Sequence, residues 1–349
     1  MIRKRAATII DVAKQANVSI GTVSNVLNHA ANVSEKTKRK VEEAIGILSY
    51  SPNDAARSIR TGRTHSIGIV VPDIMNEYYA KTIQALMDAA YKENYTALIT
   101  CFKNRPQYEE KLLNMLIDRR VEAIGIMGGV EDNELVKEVA QKVPVLLIDR
   151  RIEGSGLSAV QFDNCSALME MVAVLKEAGY RKIGYMSETL AMTNIADRYQ
   201  GFLQAMKGNG LAVDESCVWL SKDLQLEKNQ NGYKLMKKIL NERKRSELPE
   251  VLLTSSDLIA VGVMDAVKEA GFRIPHDIGI VGFDNITLSN HTFPTLTTVE
   301  QDMETIGKTS WDVIRQLMKR RTKIVHEITL EQGLVFRDSC KLPERIKNR

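Results

Sequence analysis

Cysteine is scarce in this 349-residue chain: Cys101, Cys165, Cys217 and Cys340 lie far apart and form no CxxC pair. Such spacing suits neither a disulfide framework nor a zinc site, so reduced thiols and no bound metal are expected. Long hydrophobic runs are missing as well, and none approaches the roughly 18 residues of a spanning helix. Arg3, Lys4 and Arg5 are not followed by the apolar stretch of a signal peptide, so a cytoplasmic location without a membrane partner is expected. Catalytic signatures are absent too: there is no P-loop, HExxH or GxSxG, and His29, His65, His276, His291 and His326 are scattered. Gly125, Gly128 and Gly129 follow an apolar run without completing GxGxxG. The chain therefore reads as something other than an enzyme, with no cofactor.

What is present is ordinary for a globular protein, with 44% hydrophobic and 26% charged residues. The length exceeds one typical core and implies two or three domains. Charge is unevenly placed: residues 1–63 carry eleven Lys/Arg against five Asp/Glu, whereas the remainder carries 37 against 39. A positive field concentrated in the first sixth suits contact with phosphates, although a solvated face would look the same.

Thr8 and Asp11 form an N-cap pair ahead of Ile9, Val12, Ala13 and Ala16 at helical spacing. Asn17 follows as a turn residue that tolerates left-handed backbone. Ser19 caps a second helix to about Leu27, and Ser34 starts a third carrying Val41, Ala44, Ile45 and Leu48. Two short helices separated by about three residues, with a third behind, make a helix-turn-helix whose second helix enters the major groove. Its outward stripe is Ile20, Gly21, Ser24 and Asn25. Asn25 suits adenine, Ile20 a thymine methyl, and Thr22 and Ser24 suit phosphate oxygens.

The stretches TIIDVAKQANVSIGTVSNVLN (residues 8–28) and SEKTKRKVEEAIGILSYSPNDAARSIRTGRT (34–64) resemble the headpiece of the LacI/GalR family of bacterial repressors. The resemblance continues to about Arg337. It implies an α/β protein with an N-terminal all-α helix-turn-helix headpiece (1–52), a hinge helix and linker (53–64), and a two-lobed periplasmic-binding-protein-like body with parallel sheets (65–340). It implies DNA contacts from Thr8, Ser19, Ile20, Gly21, Thr22, Ser24, Asn25, Asn28, Asn53, Arg57 and Ile59, the last as a minor-groove wedge. Asn25 stands where arginine is frequent and Gly21 offers no side chain, so the preferred half-site should differ from the common family operator. The partners implied are double-stranded operator DNA, a small-molecule effector and a second copy of the chain, because a palindromic operator needs two headpieces. The tail after Arg337 has no heptad repeat, which argues against a tetramerising coiled coil.

From residue 65, short apolar runs alternate with amphipathic helices: Ser66–Val71, Thr96–Cys101, Ala123–Met127, Val143–Ile148, Ala159–Phe162, Lys182–Met186, Val251–Thr254 and Ile278–Gly282. Continuous rather than alternating hydrophobicity predicts parallel strands covered on both faces, in enough chain for two lobes. Ligands of such sheets sit beyond the carboxyl ends of the strands. Asp73, Asp149, Ser256, Asp257 and Asp284 follow strands, and Arg198 is placed in the loop region after Lys182–Met186. Carboxylates and a guanidinium converging on a cleft suit a polyhydroxylated ligand, while Asp73 and Asp257 fit a turn or cap equally well.

The resemblance assigns effector contact to Arg198 in DRYQGF, to Asp284 in IGIVGFDN and to Asp149 in VLLIDR. Ser256, in TSSDLIAVG, departs from a pattern that often has asparagine. It also implies interleaved lobes, about 65–161 plus 294–327 and 162–293 plus 328–340. The expected function is a repressor of carbohydrate-utilisation genes controlled by a sugar, sugar acid or sugar phosphate. The family's global catabolite regulators answer mainly to a phosphorylated carrier protein and lack an arginine at this place, so Arg198 favours direct control. The alternatives are such a carrier-controlled regulator, or a sugar receptor without DNA function.

Overall fold

The computed structural model describes residues 7–27, 33–50, 63–103, 105–128, 133–319 and 325–347. Packing divides the chain into two units that part between Thr64 and His65. In the first, helix α1 (Ile9–Ala16) opens on a capping box and stops at Asn17, whose φ of 52° is left-handed. This is the local chemistry that ends a short helix without further support. Ser19 Oγ accepts from the Thr22 amide at 3.0 Å and starts α2 (Ile20–Leu27). Ser34 caps α3 (Glu35–Leu48) in the same way. The three helices bury Val12, Ala13, Ala16, Val23, Val26, Val41 and Ala44 against one another.

The second unit holds two six-stranded sheets. In chain order the first contains β1 (Ser66–Val71), β2 (Thr96–Cys101), β3 (Ile124–Met127), β4 (Val145–Ile148), β5 (Ser158–Phe162) and β11 (Glu327–Leu330). Their spatial order is β11-β5-β4-β3-β1-β2, parallel throughout. The second contains β6 (Ile183–Ser187), β7 (Val218–Leu220), β8 (Val251–Thr254), β9 (Gly279–Asp284), β10 (Thr297–Glu300) and β12 (Gly333–Val335). Its order is β12-β10-β9-β8-β6-β7, and only the edge strand β12 runs antiparallel.

Helices cover both faces of each sheet, which is why β3, β4 and β1 after Ser66 are apolar throughout. α4 (Glu77–Tyr91) and α11 (Met303–Lys319) pack Ile83, Leu86, Ile306 and Ile314 on one face of the first sheet. α5 (Pro106–Asp118) and α6 (Asn133–Lys142) close the other with Leu113, Leu116 and Val136. Trp311 is core, with its indole donating to Glu93. On the second sheet, α7 (Asn164–Glu177) and α8 (Thr193–Gly208) face α9 (Lys228–Glu242) and α10 (Asp257–Glu269) across the strands.

Two expected lobe boundaries are corrected by sheet membership. β10 belongs to the second sheet rather than the first, because Thr297–Glu300 pairs with Val281–Asp284 of β9. β11 lies wholly in the first, paired with Ala159–Phe162 of β5. The chain therefore crosses just before α11 and again between Leu330 and Gly333. Among the described residues no helix is long and apolar enough to cross a membrane.

Candidate functional site

The carboxyl ends of β1, β3, β4, β6 and β9 open onto one cavity of about 470 Å³ between the two sheets. Arg198, only 4% exposed, lies against it from the second turn of α8. Gly201, one turn on, allows α8 to press on α7: a Cβ there would sit 2.9 Å from the Cα of Cys165. That approach lets Arg198 Nε donate to Asn164 Oδ1 at 3.1 Å, while Nη1 donates to the Ser255 carbonyl at 2.6 Å. The guanidinium carbon is 3.9 Å from the centre of the Phe283 ring. These contacts fix the plane of the fork, as pre-organised recognition requires.

Two carboxylates flank it from opposite sheets. Asp149, beyond β4, and Asp284, at the end of β9, each lie 3.7 Å from a guanidinium nitrogen. Both have left-handed backbone, with φ of 53° and 116°, a conformation that non-glycine residues hold only where the surroundings impose it. Asn194 Nδ2 donates to Asp149 and Gln301 Nε2 to Asp284. Burial pushes the Asp284 carboxyl up to about 6, against the pull of Arg198, and raises Asp149 for the same reason. Burial also opposes the charge of Arg198, but Asp284 and Asp149 outweigh it and raise its pKa. The buried Asp149 carboxylate and Tyr78 hydroxyl, both on the cavity, interact with one another, and neither Asp149 Oδ1 nor the hydroxyl has a further partner. A ligand that brings hydroxyl groups would satisfy them.

Of the six residues expected here, Asp149, Arg198 and Asp284 are brought together. Arg198 sits on a helix and not in a loop, one turn inside α8. Asp73 is exposed at the rim, where its Oδ1 accepts from the Met75 amide at 2.9 Å as a turn residue does. Ser256 and Asp257 are not on the cavity. Ser256 Oγ caps α10 by accepting from the Ile259 amide. Asp257 is consumed by the Thr298 hydroxyl at 2.6 Å and the Ile286 amide at 2.9 Å, tying α10 to its neighbours.

The cavity also holds residues that the strand-end rule passed over. Glu188 directly follows β6 and was findable by it. Lys228, at the start of α9, was not, because no strand points to it. Glu188 pairs with Lys228 and accepts from the Ser255 hydroxyl. Gly262 of α10 makes room for this, since a Cβ there would collide with the carbonyl of Asn229.

In the first unit, α2 presents Ile20, Gly21 and Asn25 to solvent, with Ile20 45% exposed, while Val23 and Val26 face inward. Thr22 and Ser24 are half-buried beside them. Thr8 and Ser19 are occupied as caps. Asn28, Asn53, Arg57 and Ile59 lie outside the described residues.

A helix-turn-helix carried in one chain with a two-lobed body, whose charged cavity lies at the strand ends, defines a DNA-binding regulator that answers to a ligand. Residues 8–53 match the family model "Bacterial regulatory proteins, lacI family", and residues 172–340 match "Periplasmic binding protein-like domain". Catabolite control protein A of Priestia megaterium is 32% identical over 336 residues, covering 96% of this chain and 99% of that protein. The HTH-type transcriptional repressor PurR of Photorhabdus laumondii is also 32% identical, over 95% and 96%. The Lac repressor dimer bound to operator and the anti-inducer ONPF superposes with a TM-score of 0.84 at 25% identity, over 96% of this chain and 99% of that one. The chain belongs to the LacI family of bacterial transcription regulators.

Proposed function

We infer that this regulator represses carbohydrate-utilisation genes as a homodimer, and that its operator affinity is set by a sugar or sugar-derived effector held between the lobes. The observation that carries the reading is Arg198, fixed between a carboxylate from each sheet on one cavity. Carboxylates accept from pairs of hydroxyls and a guanidinium donates as a fork, which together grip a polyol. Because Asp149 and Asp284 come from different sheets, a ligand bonded to both resists their separation. If operator and effector favour different lobe arrangements, each alters the other's affinity by one shared coupling energy.

The organisation that fits this role is a headpiece over 1–52, a hinge helix and linker over 53–64, and the body over 65–340. Ile20, Gly21 and Asn25 read the major groove, flanked by Thr8, Ser19, Thr22, Ser24 and Asn28, with Asn53, Arg57 and Ile59 at the operator centre. The role requires a cytoplasmic protein and no catalysis.

Isothermal titration of the full-length protein against sugars, sugar acids and sugar phosphates tests the effector. Sub-millimolar binding of one compound is expected, lost in Arg198→Ala, with a change in operator affinity when that compound is present. Silence across the panel, beside binding of a phosphorylated carrier protein, would overturn it.

A further inference from the structure

The described lining of the cavity has an imbalance of charge that narrows the ligand further. Asp73, Asp149, Glu188, Glu227 and Asp284 supply five carboxylates, and Arg198 and Lys228 are the cations among the described lining residues. Neither cation has positive charge to spare for an incoming anion. Arg198 lies between Asp149 and Asp284 and spends two donors on Asn164 and the Ser255 carbonyl. Lys228 is ion-paired with Glu188.

Glu188 is itself built in. It is 4% exposed, and it accepts from the Ser187 hydroxyl at 3.2 Å and from the Ser255 hydroxyl besides pairing with Lys228. Burial alone would neutralise such a carboxyl, but Lys228 and the Ser255 hydroxyl outweigh it and keep Glu188 charged. An anionic ligand would thus enter a pocket of excess negative charge whose two cations are already matched, and like charges brought together out of water repel strongly. A ligand made of hydroxyl or amine donors meets the opposite situation, because carboxylates outnumber cations on the lining and accept from it.

We propose that Glu188 is a specificity-determining residue which, by holding Lys228, closes the cavity to sugar acids and sugar phosphates and selects a polyol without negative charge, neutral or amine-bearing. This rests on the effector reading above and narrows its three candidate chemistries to one.

The test pairs Glu188→Gln with wild-type full-length protein, each titrated with neutral sugars, the matching uronates and 6-phosphates, and the matching amino sugars. The neutral or amino member of a pair is expected to bind wild type at least about tenfold tighter than its anion, a ratio that Glu188→Gln cuts by about tenfold or more as Lys228 is freed. An anion that binds wild type as well as its neutral partner overturns the proposal while leaving the sugar reading intact. If no sugar of any kind binds, the sugar reading fails alone, and inorganic phosphate becomes the probe. Phosphate should then raise the melting temperature of Glu188→Gln and leave wild type and the Glu188→Gln/Lys228→Gln double variant unmoved. Equal response of all three overturns the charge argument. Should Glu188→Gln not fold, the wild-type ratio between neutral and anionic partners decides.

Discussion

The two units of the chain are stabilised in different ways. Among its described residues the helical core buries seven, none larger than valine, whereas the body buries Tyr185, Phe202 and Phe283 under one face of its second sheet alone. A small core yields only a few kcal/mol of net stability, so caps and turns matter in proportion. The body, with both faces of two sheets covered, can carry buried charge and strained backbone at its cavity without unfolding. Local chemistry holds the reading helices in place, and surplus stability in the body supports the sensor.

The largest effect expected from breaking this contrast is at Arg198. Arg198→Ala leaves Asp149 and Asp284 facing one another without their shared cation, and removing one partner of a buried pair costs about 3–5 kcal/mol. The full-length protein should show that loss in denaturant unfolding of the body, together with loss of effector binding. Amide exchange in the helical unit should be unchanged. A cost below about 1 kcal/mol would mean that the cavity is hydrated and the body has no such surplus.

Asp284 should behave in the opposite sense. Its carboxyl is pushed up to about 6 from an ordinary 3.8, chiefly by burial. The folded state therefore holds the proton more tightly than the unfolded state, so this group's contribution to stability is present below pH 4 and lost as pH rises through 6. That rise corresponds to about 2–3 kcal/mol of destabilisation at neutral pH. Asp284→Asn is thus expected to melt higher than wild type at pH 7 and to bind effector more weakly, the trade expected of a site kept for function. The stability difference should shrink between pH 6 and 4; a constant difference would assign it to packing.

In the helical unit, Asn25→Ala should cost operator affinity about 1–3 kcal/mol and relax preference at one base pair, without moving body stability. Selection with Asn25→Arg sharpens this: an unchanged preferred half-site would remove Asn25 from the reading face.

The same difference explains what could be read in advance. Thr8, Asp11, Asn17, Ser19 and Ser34 announce the three helices because each acts within four residues of itself. Strands β1, β2 and β8 were legible to the residue: β1 and β8 because burial on both faces leaves long apolar runs, and β2, a more open edge strand, because its Ala97–Ile99 run is bracketed by threonines. The cavity was legible only in part. Asp149, Arg198 and Asp284 carry a strand-end position or a family motif, but Lys228 reaches Glu188 across forty residues of chain through the packing of α9 on α10. Asp257 and Asp284 look alike in sequence, each beside the end of a strand, and differ only because Thr298 and the Ile286 amide claim the first. The lobe bounds around β10 and β11 came from the resemblance alone, and the sequence could not correct them, because β10 is threonine-rich and β11 exposed at the edge, so neither shows the apolar run that marks a central strand.

The smallest effect discriminates most finely between the units, because it places the same chemistry in both. Thr8 caps α1 and Ser256 caps α10, each by accepting a backbone amide at 3.4 Å. Replacing either with alanine should cost about 1 kcal/mol. In the helical unit that is a large share of the total, and Thr8→Ala also removes the hydroxyl bond that Asp11 receives from Thr8, so exchange protection of α1 to α3 should fall several-fold. In the body, Ser256→Ala spreads the same loss over two sheets and should lower its melting temperature by about 2–4 °C, roughly half the shift per kcal/mol seen in domains under 100 residues. If α1 protection survived Thr8→Ala while Ser256→Ala destabilised the body by much more, the cap beneath the cavity would be the critical one, and the surplus assigned to the body would lie elsewhere than around α10.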